Sequence, residues 1–298
     1  MRVAVTGASG VIGSALVPAL RNDGYDVLRL VRGVPTAPDE RRWEPAVRLL
    51  DPAVLSDVDA VVHLAGAGVA DRRWTDDYKR TIRDSRVDGT LTVAEALARA
   101  TPRPRVLLSA SAVGYYGDRG DDVVDESAPP GEGFLPEVCQ EWEAATAPAA
   151  DAGVRVVLMR TGLVCSPRGG LLDRMVPLFK LGLGGKLGSG RQYQPWISLR
   201  DEVDAIRFLL VSPEISGPAN LTGPVPVTNA EFTRALAEVL HRPAVLPVPR
   251  LALRTVLGPF ADEGVLAGQR AVPAVLSAHG FAFTDPDVRS ALRWATAG

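Results

Sequence analysis

Three glycines near the start of the chain have the spacing of a phosphate-binding turn. Gly7, Gly10 and Gly13 follow residues 2–5, which predict a short buried strand, and precede residues 14–20, whose apolar spacing predicts a helix. A helix that begins at such a turn presents free backbone N–H groups and the positive end of its dipole to an anion. Strand, glycine turn and helix in this order are typical of a pyrophosphate site for a dinucleotide.

Each glycine has its own expected role in this turn. Gly7 permits the tight bend, Gly10 lets the backbone approach the phosphate oxygens without a Cβ in the way, and Gly13 lets the helix pack close to the strand. A plain strand–helix turn is the alternative interpretation, and it leaves the three glycines unexplained. The residues expected around the phosphates are Gly7, Ser9, Gly10, Val11, Ile12 and Gly13.

The end of the second predicted strand indicates which dinucleotide the site prefers. Residues 26–31 form this strand, and Val31 and Arg32 stand where the common NAD arrangement has an acidic residue for the ribose 2′-hydroxyl. A guanidinium pairs with a 2′-phosphate, whereas a carboxylate repels it. The sequence therefore favours NADP over NAD. A solvated surface arginine is the alternative, because all but three of the 33 basic residues are arginine.

Length and composition restrict the class of protein. The chain has 298 residues, which is long enough for one large α/β unit with a smaller lobe. Its composition, 46% hydrophobic and 23% charged, is that of an ordinary globular protein. A net charge of −2 argues against a nucleic-acid surface. No signal region or membrane-spanning run is evident, and Cys139 and Cys165 lack metal-ligand spacing. We therefore expect a cytoplasmic protein with no metal and no membrane or nucleic-acid partner.

Predicted strands and helices alternate as far as residue 165, which indicates a Rossmann-type doubly wound parallel sheet. Beyond the second strand the pattern predicts an edge strand over 47–50, a core strand over 59–64, a helix over 75–100, a strand over 104–109, a helix over 137–150 and a strand over 154–160.

The pattern changes after residue 165. A glycine-rich segment at 181–191 and short helices interrupted by prolines beyond residue 223 predict a smaller, mostly helical lobe. We expect residues 1–165 with 199–222 to form the dinucleotide-binding domain, and residues 166–198 with 223–298 to form the substrate lobe. Ligands of open α/β sheets bind at the carboxyl ends of the strands, so the substrate site is expected there.

Several segments outside the glycine turn carry a resemblance to a known family. They are Leu64-Ala65-Gly66, residues 71–75, Ser85-Arg86, residues 114–118, 160–162, 181–185, 188–192, 196–197 and 268–273. Together they resemble the extended short-chain dehydrogenase/reductase superfamily. Within it they are most similar to the NAD-dependent epimerase/dehydratase branch of YfcH-like and SDR39-type proteins, which has its own C-terminal domain. The resemblance implies a Rossmann-type fold and NADP binding.

The resemblance also implies further contacts with the cofactor. These are expected from Leu64, Ala65, Gly66, Thr81, Arg86, Ser109 and Val164. His63 directly precedes Leu64 within a predicted strand. There a structural histidine is preferred over a catalytic one.

The proton-transfer residues of the superfamily are missing from their usual place. Relatives use a tyrosine with a lysine four residues later, and the positive charge lowers the tyrosine pKa so that it acts as a base. None of the five tyrosines here has this lysine, and Leu135 and Cys139 occupy roughly the dyad positions. Ser111, Tyr115 and Tyr116 are the candidate substitutes. The alternative for the tyrosines is ring packing with a backbone-bound hydroxyl.

The glycine-rich segment offers candidate substrate ligands. Lys186, Arg191 and Gln192 are suited to an anionic group such as a diphosphate, and Trp196 follows them. A flexible exposed loop is the alternative interpretation.

Two functional hypotheses follow from these residues. The first is an NADP-dependent oxidoreductase or epimerase that acts on a small hydroxyl- or carbonyl-bearing or nucleotide-sugar-like substrate. The second is a non-catalytic NADP-binding redox sensor, which the missing dyad favours. A homodimer through the helix at 75–100 is also expected from the superfamily.

Overall fold

A central sheet and its flanking helices follow the predicted alternation. Residues 1–297 of this computed structural model are described. The strands are β1 (Arg2–Thr6), β2 (Asp26–Val31), β3 (Glu40–Arg42), β4 (Ala60–His63), β5 (Val106–Ala112), β6 (Val123–Val124), β7 (Arg155–Thr161), β8 (Leu163–Cys165), β9 (Tyr193–Gln194), β10 (Trp196–Ser198), β11 (Gly217–Leu221), β12 (Val227–Thr228) and β13 (Arg270–Ala271). The helices are α1 (Val11–Asn22), α2 (Asp76–Arg99), α3 (Phe134–Ala144), α4 (Ala147–Asp151), α5 (Gly170–Lys180), α6 (Leu199–Val211), α7 (Asn229–Leu240), α8 (Arg250–Leu257), α9 (Ala274–Ala278) and α10 (Val288–Thr296).

Seven strands form the main sheet, in the order β11-β7-β5-β4-β1-β2-β3. The registers that join β3, β2, β1, β4 and β5 are all parallel. The chain runs from β1 outward to β2 and β3, then crosses to β4 on the other side, so the strand order reverses beside β1. This reversal is the topological switch point of a doubly wound fold, where ligands bind at the carboxyl ends of the strands. The predicted fold class is confirmed.

The central strands are apolar because both faces of a parallel sheet are covered by helices. Residues 3–5 of β1 and residues 60–62 of β4 are completely buried. Helix α2 begins at the N-cap Thr75, whose side chain accepts a hydrogen bond from the backbone N–H of Tyr78. Asp76 and Asp77 lie in its first turn, where they complement the helix dipole.

Two predicted elements are wrong in detail. The edge strand is Glu40–Arg42 and not 47–50, where Pro45–Val47 forms a 3₁₀ turn and Arg48 adopts a left-handed backbone that turns the chain back. The helix predicted at 137–150 is two helices. Pro148 lies in the first turn of the second helix and the hydroxyl of Thr146 bonds the carbonyl of Glu143 at the end of the first. Strand β11 has no counterpart in the prediction.

Contacts within the chain group it into two units, and each is described by itself. Unit 1 contains residues 1–111, 138–159 and 206–218, with a core that includes Leu28, Leu97 and Leu107. Unit 2 contains residues 112–137 and 160–205 and the chain from Ala219 onward. Its core includes Trp196 and Phe232. The assignment of a cofactor domain and a substrate lobe by function stays a prediction.

Among residues 1–297, no helix combines the length and the apolar character that crossing a bilayer requires.

Candidate functional site

The glycine turn between β1 and α1 is built so that side chains are excluded from it. Gly7 has a left-handed backbone, with a φ of 66°, and a Cβ there would lie 2.8 Å from the carbonyl carbon of Leu64. A Cβ on Gly13 would lie 2.2 Å from the carbonyl oxygen of Gly7. Both positions therefore require glycine, in agreement with a tight bend and close helix packing.

The start of α1 is open to an anion. Gly10 is its N-cap, and no side chain caps the first turn of the helix. Gly10 and the neighbouring Ser9 are exposed. The first N–H groups of a helix have no partner within the helix, so this turn has donors and a favourable dipole for a phosphate. The two positions that only glycine can occupy and the uncapped start of the helix both fit a turn that binds the pyrophosphate of a dinucleotide.

Arg32 directly follows β2, beside this turn in the sheet order, and is exposed. Asp39 and Glu40, the first acidic residues after Arg32 in the sequence, are held by another arginine of the same strand. Arg29 bonds Asp39 at 2.7 Å and Glu40 at 3.1 Å, and the bond from Arg29 lowers the pKa of Asp39 to about 2. These carboxylates are therefore already neutralised, while the guanidinium of Arg32 reaches solvent at the strand end.

The segment after β4 is fixed by the hydroxyl of Thr6. Its Oγ1 accepts hydrogen bonds from the backbone N–H groups of Leu64 (3.0 Å) and Ala65 (3.2 Å), and lies 2.8 Å from Nδ1 of His63. Because two amides occupy the oxygen lone pairs, the hydroxyl donates its hydrogen to Nδ1, and the ring proton of His63 is assigned to Nε2. Burial lowers the pKa of His63 to about 4. This neutral, fully buried ring supports the structural interpretation of His63.

Helix α2 holds the same segment from its other end. Arg86 donates to the carbonyl of Ala67 at 2.9 Å, and its guanidinium lies 4.9 Å from the centre of the Trp142 ring. The hydroxyl of Ser85 accepts the N–H of Ala67 at 3.1 Å. Thr81 is exposed and donates to the carbonyl of Asp77. The structure thus brings the predicted residues Leu64–Gly66 and Arg86 together, with Arg86 shaping the loop.

Ser111 in β5 is buried, with 3% of its surface exposed, and its hydroxyl donates to Oε1 of Glu143 on α3 at 2.6 Å. Ser109, two residues earlier in the same strand, is fully buried and makes only a long contact of 3.5 Å with the carbonyl of Ala110. Of these two serines, Ser111 therefore has the ionisable partner.

Tyr116 in unit 2 is completely buried with its hydroxyl engaged. The hydroxyl donates to Oδ1 of Asn220 at 2.7 Å and accepts from Arg160 at 3.1 Å. Burial raises the pKa of Tyr116 although Arg160 acts in the opposite sense. Tyr115 is half-buried and stacks on the guanidinium of Arg160, whose carbon lies 3.5 Å from the ring centre. The geometry of Tyr116 favours packing over proton transfer.

The candidate substrate residues fall into two groups in unit 2. Trp196 is fully buried, donates to the carbonyl of Val225 at 2.9 Å and packs on the backbone of Gly223. Gln192 is buried and donates to the carbonyl of Leu187. This favours structural roles for both residues. Lys186 and Arg191 are exposed, and Val164 is half-buried in β8.

Sequence reasoning missed the carboxyl groups that the fold buries or pairs. Glu143 contacts Ser111, and its one available signal is a position four residues after Cys139 on the same helix. Glu202 is fully buried on α6, where Oε1 accepts the hydroxyl of Thr161 at 2.8 Å and burial raises its pKa to about 8. No sequence signal marks Glu202, because it lies in an ordinary amphipathic helix.

Comparison with known proteins identifies the family. A model described as "NAD dependent epimerase/dehydratase family" matches residues 3–221, and "Epimerase family protein Mb2239" of Mycobacterium bovis is 52% identical over 294 residues, covering 99% of this chain and 97% of that protein. The chain belongs to the NAD dependent epimerase/dehydratase family. The predicted family is confirmed.

Further similarities place this family member more closely. A domain of unknown function (DUF1731) matches residues 248–295, in agreement with the predicted C-terminal domain. The crystal structure of human epimerase family protein SDR39U1 (isoform2) with NADPH has a TM-score of 0.93 and 31% identity, and the match covers 100% of this chain and 99% of that one. A nucleoside-diphosphate sugar epimerase from Corynebacterium glutamicum has a TM-score of 0.83 and 38% identity, covering 99% of this chain and 58% of that one.

Proposed function

We propose that this family member binds NADP and is an oxidoreductase or epimerase for a small hydroxyl- or carbonyl-bearing substrate of the nucleotide-sugar type. The observation that carries the proposal is the uncapped glycine turn, closed to any Cβ at Gly7 and Gly13, with the exposed Arg32 at the end of the adjacent strand. The human SDR39U1 structure was obtained with NADPH, which supports the same cofactor here.

The residues proposed to hold the cofactor do so through main-chain donors and one cation. The N–H groups at the start of α1 bind the pyrophosphate, and Arg32 pairs with the 2′-phosphate of the adenosine ribose. The Leu64–Gly66 segment, fixed by Thr6 and Arg86, lies along the other side of the turn. When bound, the nicotinamide supplies a hydride donor or acceptor.

The substrate class rests on charge and on the named neighbours. Lys186 and Arg191 are exposed cations of unit 2 and are suited to a diphosphate. The Corynebacterium glutamicum neighbour is named a nucleoside-diphosphate sugar epimerase, which supports this class. Ser111 is proposed to contact the reacting oxygen, and a catalytic role for Tyr115 stays a prediction. The cytoplasmic location and a homodimer through α2 stay predictions.

Calorimetric titration with NADP⁺ and NAD⁺ tests the cofactor assignment. We expect Arg32→Ala to weaken NADP⁺ binding by about 2 kcal/mol, roughly 30-fold, because a charge-assisted contact to the 2′-phosphate is lost. Binding of NAD⁺, which lacks this phosphate, is expected to change little. Arg99→Ala, an exposed arginine in the last turn of α2, is the control for a general loss of charge.

Two outcomes contradict the assignment. Equal losses of affinity for NADP⁺ and NAD⁺ in Arg32→Ala would rule out the contact between Arg32 and the 2′-phosphate. If a folded wild-type sample gives no heat of binding with either coenzyme, the whole proposal is contradicted.

Turnover separates the enzyme from the redox sensor. The sensor remains a second candidate because the buried Tyr116 has no hydroxyl hydrogen to spare and no lysine stands four residues after any tyrosine. A panel of ketones, alcohols and UDP-sugars is incubated with NADPH or NADP⁺. Cofactor absorbance reports oxidoreduction, and chromatography of the sugars reports epimerisation, which leaves the cofactor unchanged overall. Turnover of a panel member supports the enzyme, and cofactor binding without turnover supports the sensor.

A further inference from the structure

Helix α3 carries a carboxylate on the face where the superfamily has its dyad. Leu135 and Cys139 occupy roughly the places of the tyrosine and the lysine, and Glu143 follows after one more turn. Residues four apart on a helix stand above one another on the same face. Leu135 has no acid–base group, and Cys139 is a buried thiol. Glu143 is therefore the first group along this face with the chemistry of a base.

The hydrogen bond from Ser111 to Glu143 fixes how the serine faces a ligand. A serine hydroxyl has one hydrogen, and the 2.6 Å contact assigns that hydrogen to Oε1 of Glu143. The remaining lone pairs of Oγ accept hydrogen bonds. Ser111 is thus set to receive a proton from a substrate hydroxyl, and Glu143, which is partly exposed, has access to solvent for proton exchange.

We infer that Ser111 and Glu143 form a proton relay that does the work of the missing dyad, an inference that rests on the proposed NADP-dependent reaction. In the oxidising direction, the hydroxyl proton of the substrate moves to Oγ of Ser111 as the serine proton moves to Oε1 of Glu143. The C–H electron pair leaves as hydride to NADP⁺, which is the oxidant, and the products are a carbonyl compound, NADPH and a protonated Glu143. Reduction runs through the same positions in reverse.

In this arrangement the two residues have different roles. Ser111 touches the reacting oxygen and is the catalytic residue. Glu143 acts through Ser111 and is a positioning residue that also stores the proton. A short bond to a charged acceptor is the kind that polarises a hydroxyl most strongly.

The test compares Glu143→Gln with a matched neighbour on the panel member that the wild-type protein turns over fastest. Glutamine keeps an oxygen that accepts from Ser111 but takes no proton. We expect kcat to fall by about 10²- to 10⁴-fold, the usual contribution of a positioned base. KM and NADPH affinity, measured by NADPH fluorescence, are expected to stay unchanged. Glu143→Asp is expected to recover part of the rate, because it restores a carboxylate.

Glu141→Gln is the control. Glu141 is exposed on the same helix and pairs with Arg83, so its loss removes a charge from α3 without touching Ser111. We expect Glu141→Gln to keep the wild-type kcat.

A measurement that needs no turnover supports the rate data. Infrared difference spectra between wild type and Glu143→Gln isolate the carboxylate stretch of Glu143. We expect this band to shift in Ser111→Ala, because the donor to Oε1 is lost. An unshifted band in a folded Ser111→Ala sample would overturn the relay.

The outcomes separate the relay from the proposed function. Turnover by wild type with an unchanged kcat in Glu143→Gln would overturn the relay and leave the NADP-dependent reaction standing. A fall in kcat that Glu143→Asp does not relieve, together with a loss of NADPH affinity, would also overturn it, because that pattern reports structural damage. No turnover of the panel by the wild-type protein would overturn both.

Discussion

Units 1 and 2 each contain a fully buried ionisable side chain that is uncharged at neutral pH, and the two side chains make stability respond to pH in opposite directions. His63 in unit 1 is fully buried, and burial lowers its pKa to about 4. Glu202 in unit 2 is also fully buried, and burial raises its pKa to about 8. Each has one buried atom without a hydrogen-bond partner within residues 1–297, Nε2 of His63 and Oε2 of Glu202.

The comparison shows that burial selects the neutral form, whichever charge the group carries when it ionises. The partners do not reverse this. The hydroxyl of Thr161 stabilises ionised Glu202, yet burial dominates the pKa of Glu202. Burial therefore makes the stability of unit 1 sensitive to acid and that of unit 2 sensitive to base, and three substitutions test this contrast.

Glu202→Gln is expected to have the largest effect. The folded protein keeps the Glu202 proton up to about pH 8, whereas the unfolded chain releases it near the ordinary value of 4.5. Wild-type stability therefore falls as the pH rises between these values, by about 5 kcal/mol in total from this group. The variant should lose this dependence, measured as the free energy of urea unfolding across that window.

Glu137→Gln is the matched control, because Glu137 is exposed at the start of α3. It should keep the wild-type pH dependence. An unaltered dependence in Glu202→Gln would mean that Glu202 is ionised in the folded protein.

His63→Asn is expected to have a smaller effect in the opposite direction. The unfolded chain binds a proton at His63 below about pH 6.5, and the folded protein does so only near pH 4. Wild-type stability therefore falls on acidification through this window, by about 3 kcal/mol from this group. Asparagine places an oxygen near the position of Nδ1, so the bond from Thr6 is retained while the acid sensitivity is lost in urea unfolding.

His241→Asn is the control for this variant. His241 is exposed at the end of α7 with a left-handed backbone (φ 52°), which asparagine tolerates. If the free energy of unfolding stays acid-sensitive in His63→Asn but loses this sensitivity in His241→Asn, the acid dependence would belong to His241 and not to His63.

Tyr116→Phe extends the contrast to a buried neutral group whose hydroxyl is fully hydrogen-bonded. The variant leaves Oδ1 of Asn220 without the phenol hydrogen, so we expect a loss of about 1–3 kcal/mol in unfolding free energy. Burial raises the Tyr116 pKa from 10, so the loss should not vary across neutral pH. Lost turnover with undiminished stability would instead return Tyr116 to a catalytic role.

The sequence predicted the fold and the phosphate turn because both depend on local patterns. The order of strands and helices follows from hydrophobic periodicity, and Gly7 and Gly13 are required by backbone contacts within the turn or next to it. The edge strand was misplaced, because Glu40–Arg42 is charged and short and gains its pairing only from β2. An aromatic side chain such as Trp196 is suited to stack on a ligand, but in the folded protein Trp196 is completely buried in the hydrophobic core.

The glycine turn and the start of α1 follow from local sequence alone, because the absence of a Cβ and the direction of a helix are set by neighbouring residues. The protonation chemistry depends instead on long-range contacts. Ser111 and Glu143 are 32 positions apart, and Tyr116 and Asn220 are 104 apart, and each hydroxyl hydrogen is assigned by the partner that folding brings to it. The pKa values of His63 and Glu202 likewise come from burial, a property that exists only once the chain has closed around them.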